Sequence, residues 1–306
     1  MNKRIIIGAR GSALSLAYVE KVKKLLKKTQ VFSEEDIIFK KIKTSGDFFG
    51  GSKISEIGGK NNFCKEIEEH LESGQIDLAI HALKDMETIT NKNLTVAAYL
   101  KRNDPEDVLI LKKDFKLSKD STFKLGTCSP RREHQIKNIY KNVVTKEIRG
   151  NVDSRIKKIT SGEYDGVLLA AAGVKTLKFD NLINKIFSIN EIIPSAGQGI
   201  IAVQCRKKDN ELIKKISKIN DNETEVCARA EKKYLETIGG NCHTAVGVYA
   251  EIKKDKLRII SQLFSDDGKK NFYVEKEGNK SNPEELGKLA GEESLLKSKN
   301  FYFKKK

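Results

Sequence analysis

Through the first two-thirds of this chain, short apolar runs alternate with amphipathic stripes, and that alternation restricts the fold more than any other feature. "RIIIGA" (4–9) reads as a buried strand, and Leu14, Ala17, Val22, Leu25 and Leu26 then mark one face of a helix starting near Ser12. "DIIFKKIK" (36–43) is a second strand, "NNFCKEIEEHLESG" (61–74) a helix closed by Gly74, and "IDLAIHA" (76–82) a strongly buried strand. This βαβαβ order predicts an α/β domain with a largely parallel sheet. A second α/β block follows, with strands at 107–111, 123–127, 143–148 and 165–173 and helices near 130–141 and 152–161. "NDPED" (103–107) and "IIPSAGQG" (192–199) read as two crossings between the blocks, and "IIAVQC" (200–205) as a strand returning to the first. From about Asp221 the texture changes. A helix at 223–240 precedes strands near 245–252, 257–264 and 271–275, which predicts a small α+β domain with an antiparallel sheet. The expected division is 1–102 with 196–219, then 103–195, then 220–306.

Composition removes several function classes. No stretch approaches the ~20 apolar residues of a membrane span, and the N-terminal apolar run is only three isoleucines, so a cytoplasmic protein is expected. The five cysteines (64, 128, 205, 227, 242) are scattered, with no CxxC and no Cys/His pair at zinc-ligand spacing, so no metal is expected. The net charge of +16 admits three readings: nucleic-acid binding, a site for a small polyanion, or a solvated lysine-rich surface. Runs such as "KVKKLLKKT" and "FYFKKK" fit the last, and aromatics, only 7% and without Trp, do not interleave with them. A stacking surface for single strands is therefore not indicated, and without GxxxxGK[ST] neither is a nucleotide P-loop.

The arginines are distributed differently from the lysines. Only ten of the 58 basic residues are Arg, and five of them (Arg10, Arg131, Arg132, Arg149 and Arg155) fall at three strand-to-helix turns. In "LGTCSPRREHQIK", Ser129 suits an N-cap and Pro130 the first helical position, which puts Arg131 and Arg132 at the positive end of the helix dipole. Either an anion binds there, held by backbone N–H groups, Ser129 and two guanidinium forks, or both side chains swing to surface carboxylates. "EIRGNVDSRIKK" (147–158) and "GARGS" (8–12, with Ser12 as N-cap) repeat the arrangement at sheet mouths, where ligands of open α/β sheets bind.

Four further residues are candidates for chemistry. Lys84 and Asp85 follow a buried strand, and a carboxylate among cations stays ionised, able to stabilise positive charge or move a proton; from "KD" alone an ordinary surface turn is the stronger reading. Lys60 lies in a Gly-rich turn, as an anion contact or a solvated loop lysine. Cys242, in "IGGNCHTAVG", sits in a Gly-rich loop off any apolar face, where a thiol can act as nucleophile or attachment point. The other four cysteines lie in periodic or strand-edge contexts that suit small hydrophobic residues.

Taken in order, "GARGSALSLA", "KTSGD", "GGKNNFCKEIEEHL", "DLAIHALKDME", "LGTCSPRREHQI", "IRGNVDSRIKKI", "YDGVLLAAAGV", "PSAGQGIIAVQCR" and "GGNCHTAVG" resemble the porphobilinogen deaminase (hydroxymethylbilane synthase) family over about residues 5–250. The resemblance implies an α/β fold of two type II periplasmic-binding-protein-like domains plus a small α+β C-terminal domain. It implies an enzyme that joins four porphobilinogen molecules head to tail with loss of ammonia, on a dipyrromethane cofactor held by a thioether. By the same resemblance Cys242 is the attachment point and Asp85 the catalytic carboxylate. Arg10, Lys60, Lys84, Arg131, Arg132, Arg149 and Arg155 hold acetate and propionate groups, Ser12, Thr127 and Ser129 add hydroxyl contacts, and Phe63 lies near the pyrrole rings. It implies a monomer with a small-molecule substrate and no nucleic-acid or membrane partner. The chain departs from the family's pattern at Thr176, where an Arg is common beside Lys175, and at Asn61, Asn62, Ala82, Pro130 and Ala245.

Overall fold

The isoleucine run near the N-terminus forms a strand, β1 (Ile5–Arg10), with Ile5, Ile7 and Ala9 in the core. In the computed structural model, which describes residues 4–45, 64–88, 91–241 and 244–299, β1 belongs to the first of two compact units, Met1–Asn103 with Ile200–Glu225. Helix α1 (Ala13–Lys28) follows, burying Tyr18, Val19, Val22 and Leu26 against β1. Next come β2 (Ile37–Ile42), α2 (Lys65–Glu72), β3 (Leu78–Ala82) followed by a 3₁₀ turn, Leu83–Asp85, and β4 (Leu94–Tyr99).

The second unit, Asp104–Gly199 with Val226–Lys306, opens with β5 (Asp107–Leu111), buried at every position. It continues through β6 (Phe123–Gly126), α3 (Pro130–Ile139), β7 (Val143–Lys146), α4 (Val152–Thr160), β8 (Gly166–Ala170), α5 (Ala171–Thr176) and β9 (Lys185–Phe187). The strand expected over 165–173 stops at Ala170, where the Ala171 N–H turns to the Glu106 carbonyl (2.9 Å) and the alanines, strong helix formers, start α5.

Returning to the first unit, β10 (Ile201–Arg206) inserts between β3 and β4, antiparallel to both, and is followed by α6 (Asn210–Ile216). The first sheet has the order β2-β1-β3-β10-β4 and the second β7-β6-β8-β5-β9. In each, three parallel strands are followed by one that runs against both neighbours, β10 in the first and β5 in the second. The sheets are thus mixed, not largely parallel, and share one plan.

Helix α7 (Asn222–Ile238) leads to β11 (Val246–Lys253), β12 (Lys256–Phe264) and β13 (Asn271–Asn279), an antiparallel sheet, and then to α8 (Pro283–Ser298). Tyr234 and Ile238 of α7 and Leu286 and Ala290 of α8 cover the sheet's inner face at Val248, Ile259, Leu263 and Val274. This is the α+β texture expected near the C-terminus. The sequence reading did not include α8, β4, β9 or α6.

Candidate active site

Parallel neighbours β1 and β3 end side by side, so the residues just past them share one mouth of the first sheet. Arg10 ends β1, and Ser12 caps α1, its Oγ accepting the Ser15 N–H at 3.3 Å. Lys84 and Asp85 lie in the 3₁₀ turn after β3, closed by the Met86 N–H donating to the Leu83 carbonyl at 3.1 Å. A cleft of about 50 Å³ is lined here by Arg10, Ser12, Tyr18, Cys64, His81 and Asp85 among others. The Asp85 carboxylate is exposed. Burial first, and then its charge, pushes both the Tyr18 phenol and the Cys64 thiol upward, so both are neutral at pH 7.

In the second unit the arginine pair at the start of α3 has a partner the sequence did not suggest. Arg131 and Arg132 are buried and share one carboxylate, Asp107, the first residue of β5. Arg131 Nη1 lies 2.6 Å from Oδ2, and Arg132 donates from Nη2 (2.6 Å) and Nε (3.0 Å) to Oδ1. Arg131 also donates to the Ile193 carbonyl (2.8 Å) and Arg132 to that of Leu168 (3.1 Å). The reading offered a ligand anion or a surface carboxylate; the carboxylate found is internal. Burial raises the Asp107 carboxyl, but the two guanidinium charges outweigh that and hold it well below the usual range.

Thr127, Ser129, Arg149 and Arg155 lie at the same sheet mouth, past the parallel strands β6 and β7. Thr127 is buried, and its Oγ1 accepts the Ser129 N–H at 3.2 Å, while Ser129 caps α3 by accepting from the Arg132 N–H at 3.4 Å. Arg149 pairs with Glu147 (Nε to Oε1, 2.7 Å), and Arg155 donates to the Gly150 carbonyl at 2.8 Å. Lys175, beside the anomalous Thr176, is engaged by Asp104 at 2.6 Å. Lys60, Phe63 and Cys242 lie outside the described residues. Among the other cysteines one expectation needs correcting. Cys64, Cys205 and Cys227 are buried, but Cys128 is exposed, its thiol donating to the Ile148 carbonyl at 2.6 Å. Sequence reasoning missed Asp107 and Tyr18. The signal for Asp107 was a lone acid opening the otherwise apolar strand "DVLIL", which demands a buried partner.

Compared with known proteins, residues 5–214 match the porphobilinogen deaminase dipyrromethane cofactor-binding domain, and residues 225–296 match the porphobilinogen deaminase C-terminal domain. This chain belongs to the porphobilinogen deaminase family. It is 35% identical over 285 residues to the porphobilinogen deaminase of Coxiella burnetii (strain Dugway 5J108-111), covering 93% of this chain and 92% of that one. It is 38% identical over 280 residues to that of Helicobacter acinonychis (strain Sheeba), covering 91% and 90%. Among solved structures, the second substrate-binding domain of a putative amino acid ABC transporter from Streptococcus pneumoniae aligns with a TM-score of 0.44 and 16% identity, over 70% of this chain and 90% of that one.

Membership of the porphobilinogen deaminase family brings a dipyrromethane cofactor, a molecule with several carboxylates, and the described residues fit such a group. Two buried guanidiniums face one carboxylate, leaving a surplus positive charge. The buried Arg131 Nε and Arg149 Nη1 have no hydrogen-bond partner among the described residues. Unpaired buried donors are costly unless a ligand acceptor meets them. No group of three or more His, Cys, Asp and Glu among the described residues could hold a metal, and no described helix is long and apolar enough to cross a membrane.

Proposed function

We propose that this chain acts as a hydroxymethylbilane synthase, with Asp85 as its catalytic carboxylate and Cys242 as the point where the dipyrromethane is attached. The observation that carries the assignment to Asp85 is its place: an exposed carboxylate on a turn directly after a buried strand, in a cleft with Arg10. When bound, the dipyrromethane supplies the free pyrrole carbon on which the product chain is extended. Loss of ammonia from porphobilinogen breaks its aminomethyl C–N bond and leaves a cationic pyrrole. A fixed carboxylate stabilises that cation without reorganising, because the backbone has already set its position. Arg10, Ser12, Lys60, Lys84 and Phe63, together with Thr127, Ser129, Arg131, Arg132, Arg149 and Arg155, hold the acetate and propionate groups. Guanidinium forks fix a carboxylate's orientation as well as its position, which a lysine point charge does not. With Lys175 engaged by Asp104, we assign no ligand contact to it. We further propose that the chain works as a cytoplasmic monomer of three domains, 1–102 with 196–219, 103–195 and 220–306.

Intact mass tests the covalent part of this reading. The purified protein should exceed its sequence mass by one dipyrromethane, and Cys242→Ser should not. An unmodified and inactive wild type, given excess porphobilinogen, rejects the proposal. Asp85→Asn should keep the cofactor and lose turnover by about a hundredfold or more, as when a preorganised electrostatic contact is removed.

A further inference from the structure

Directly behind Asp85 runs a buried polar chain that carboxylate binding does not require. Cys64 stands at the N-cap of α2, yet its side chain does not cap the helix. Its Sγ lies 3.3 Å from the Asp85 carbonyl oxygen and 3.6 Å from His81 Nδ1. His81 Nε2 is 3.1 Å from Gln204 Oε1, and Gln204 Nε2 donates to Glu68 Oε1 at 2.8 Å. Cys64, His81 and Gln204 are 2%, 5% and 0% exposed, so water does not substitute for these contacts.

The partners fix the protons. The Gln204 amide nitrogen is committed to the Glu68 carboxylate, so its oxygen faces His81, and His81 must donate from Nε2. Burial holds the imidazole neutral, which leaves Nδ1 an acceptor. Burial also keeps the Cys64 thiol protonated. One S–H therefore stands between two acceptors, His81 Nδ1 and the Asp85 carbonyl, and the carbonyl is nearer. The 3₁₀ turn is also held by the Leu83 N–H on the Ile200 carbonyl (2.9 Å) and by its own closing bond.

From this geometry we infer that Cys64, braced by His81 and Gln204, is a positioning residue for Asp85. Its thiol holds the peptide that carries the carboxylate, so the carboxylate meets the developing cation in one orientation. A connected buried network defines a single geometry where an apolar filler would leave the turn several. The inference rests on the reading of Asp85 as the catalytic carboxylate.

The test compares Cys64→Val, which fills the space without a donor, and Cys64→Ser, which keeps one, each alone and combined with Asp85→Asn. The readouts are kcat, KM for porphobilinogen, cofactor load by intact mass, thermal midpoint, and amide exchange across residues 83–88. Cys64→Val should lower kcat about tenfold, the scale of a modest misplacement of a reacting group. KM, cofactor load and thermal midpoint should hold, amide exchange in the turn should rise, and Cys64→Ser should restore most of the rate. In the Asp85→Asn background Cys64→Val should cost nothing more, the non-additivity expected of a residue acting through another. Full kcat in Cys64→Val beside a disabled Asp85→Asn overturns the inference, as does an additive loss or one that tracks lost cofactor or lost fold. Wild-type turnover in Asp85→Asn instead rejects the assignment of Asp85 itself.

Discussion

Two arginines on one buried carboxylate make Asp107 the most consequential single side chain of the second unit. Gln198 adds a fourth hydrogen bond, from a third side chain (Nε2 to Oδ1, 3.1 Å), while also donating to the Pro105 carbonyl at 2.7 Å. Replacing it by a neutral amide leaves two guanidiniums buried without compensation. Asp107→Asn should therefore cost roughly 3–5 kcal/mol, seen as a lowered urea midpoint with an unchanged slope. A variant that unfolds at the wild-type midpoint would show that the pair is balanced by something other than Asp107. The sequence exposed half of this arrangement. Two Arg in the first turn of a helix advertise an anion, and that was readable at positions 131 and 132. That an internal Asp supplies part of it was not, because residues 107 and 131 meet only once β5 and the start of α3 are placed in three dimensions. Lys175 shows the same limit: its ion pair with Asp104 joins residues 71 positions apart and was not legible in the sequence.

Elements were legible where their buried faces were built from large apolar residues, as in β1, α1, β3 and β5. Helix α8 escaped for the opposite reason. Its exposed positions carry Leu289 and Leu296, while its buried face, beyond Pro283 and Leu286 in the first turn, is Gly287, Ala290, Gly291, Ser294 and Ser298. Hydrophobic periodicity does not find a helix that turns mostly small residues inward and sets two leucines outward. Small residues are needed because the helix lies close on α7. A Cβ on Gly287 would fall 2.2 Å from the Ala230 carbonyl oxygen, and one on Gly291 would fall 2.8 Å from Thr237 Cβ. At that close approach Ser294 Oγ accepts the Tyr234 hydroxyl at 2.8 Å. Gly287→Ala gains helix propensity, yet it must push against backbone, so it should destabilise by about 1–3 kcal/mol, as overpacking does. Calorimetry on the variant decides it: an unchanged or raised melting temperature would mean that α8 moves away at no cost. The strand-to-helix switch at Ala170/Ala171 was also hidden, since an apolar run reads alike as buried strand or buried helix until its length is cut by tertiary contacts.

At the scale of the molecule, the sequence predicted two α/β blocks with a returning strand, and 200–205 does return to the first sheet as β10. The shared strand plan of the two sheets left no trace in the residues, because a common topology constrains burial patterns and not identities. Each unit also contains a buried group whose protonation differs between folded and unfolded chain, and the two act in separate pH windows. His81, in the first unit, is driven from 6.5 down to about 4 by burial, only partly opposed by its bond to Gln204. Between those values the unfolded chain binds the proton and the folded chain does not, so stability falls as pH falls, by about 1.4 kcal/mol per pH unit for one full proton. The half-buried His134, also lowered by burial, adds to this window. Asp107 acts in the other. Its folded carboxyl lies below its ordinary 3.8, so its contribution is complete above that value and is lost as the pH drops through and beneath it. Urea midpoints should thus decline from pH 6.5 to 4 and again below 4. His81→Gln should flatten the first decline in part, leaving the His134 share, and Asp107→Asn should flatten only the second, again in part, leaving the share of other lowered carboxyls such as Glu133 and Asp165. Midpoints that stay constant from pH 7 to 4.5, or a His81→Gln variant that declines as steeply as wild type, would mean that His81 is not held neutral in the fold. In that event the proton order deduced for the chain behind Asp85 would have to be reversed, with the imidazolium donating to sulfur.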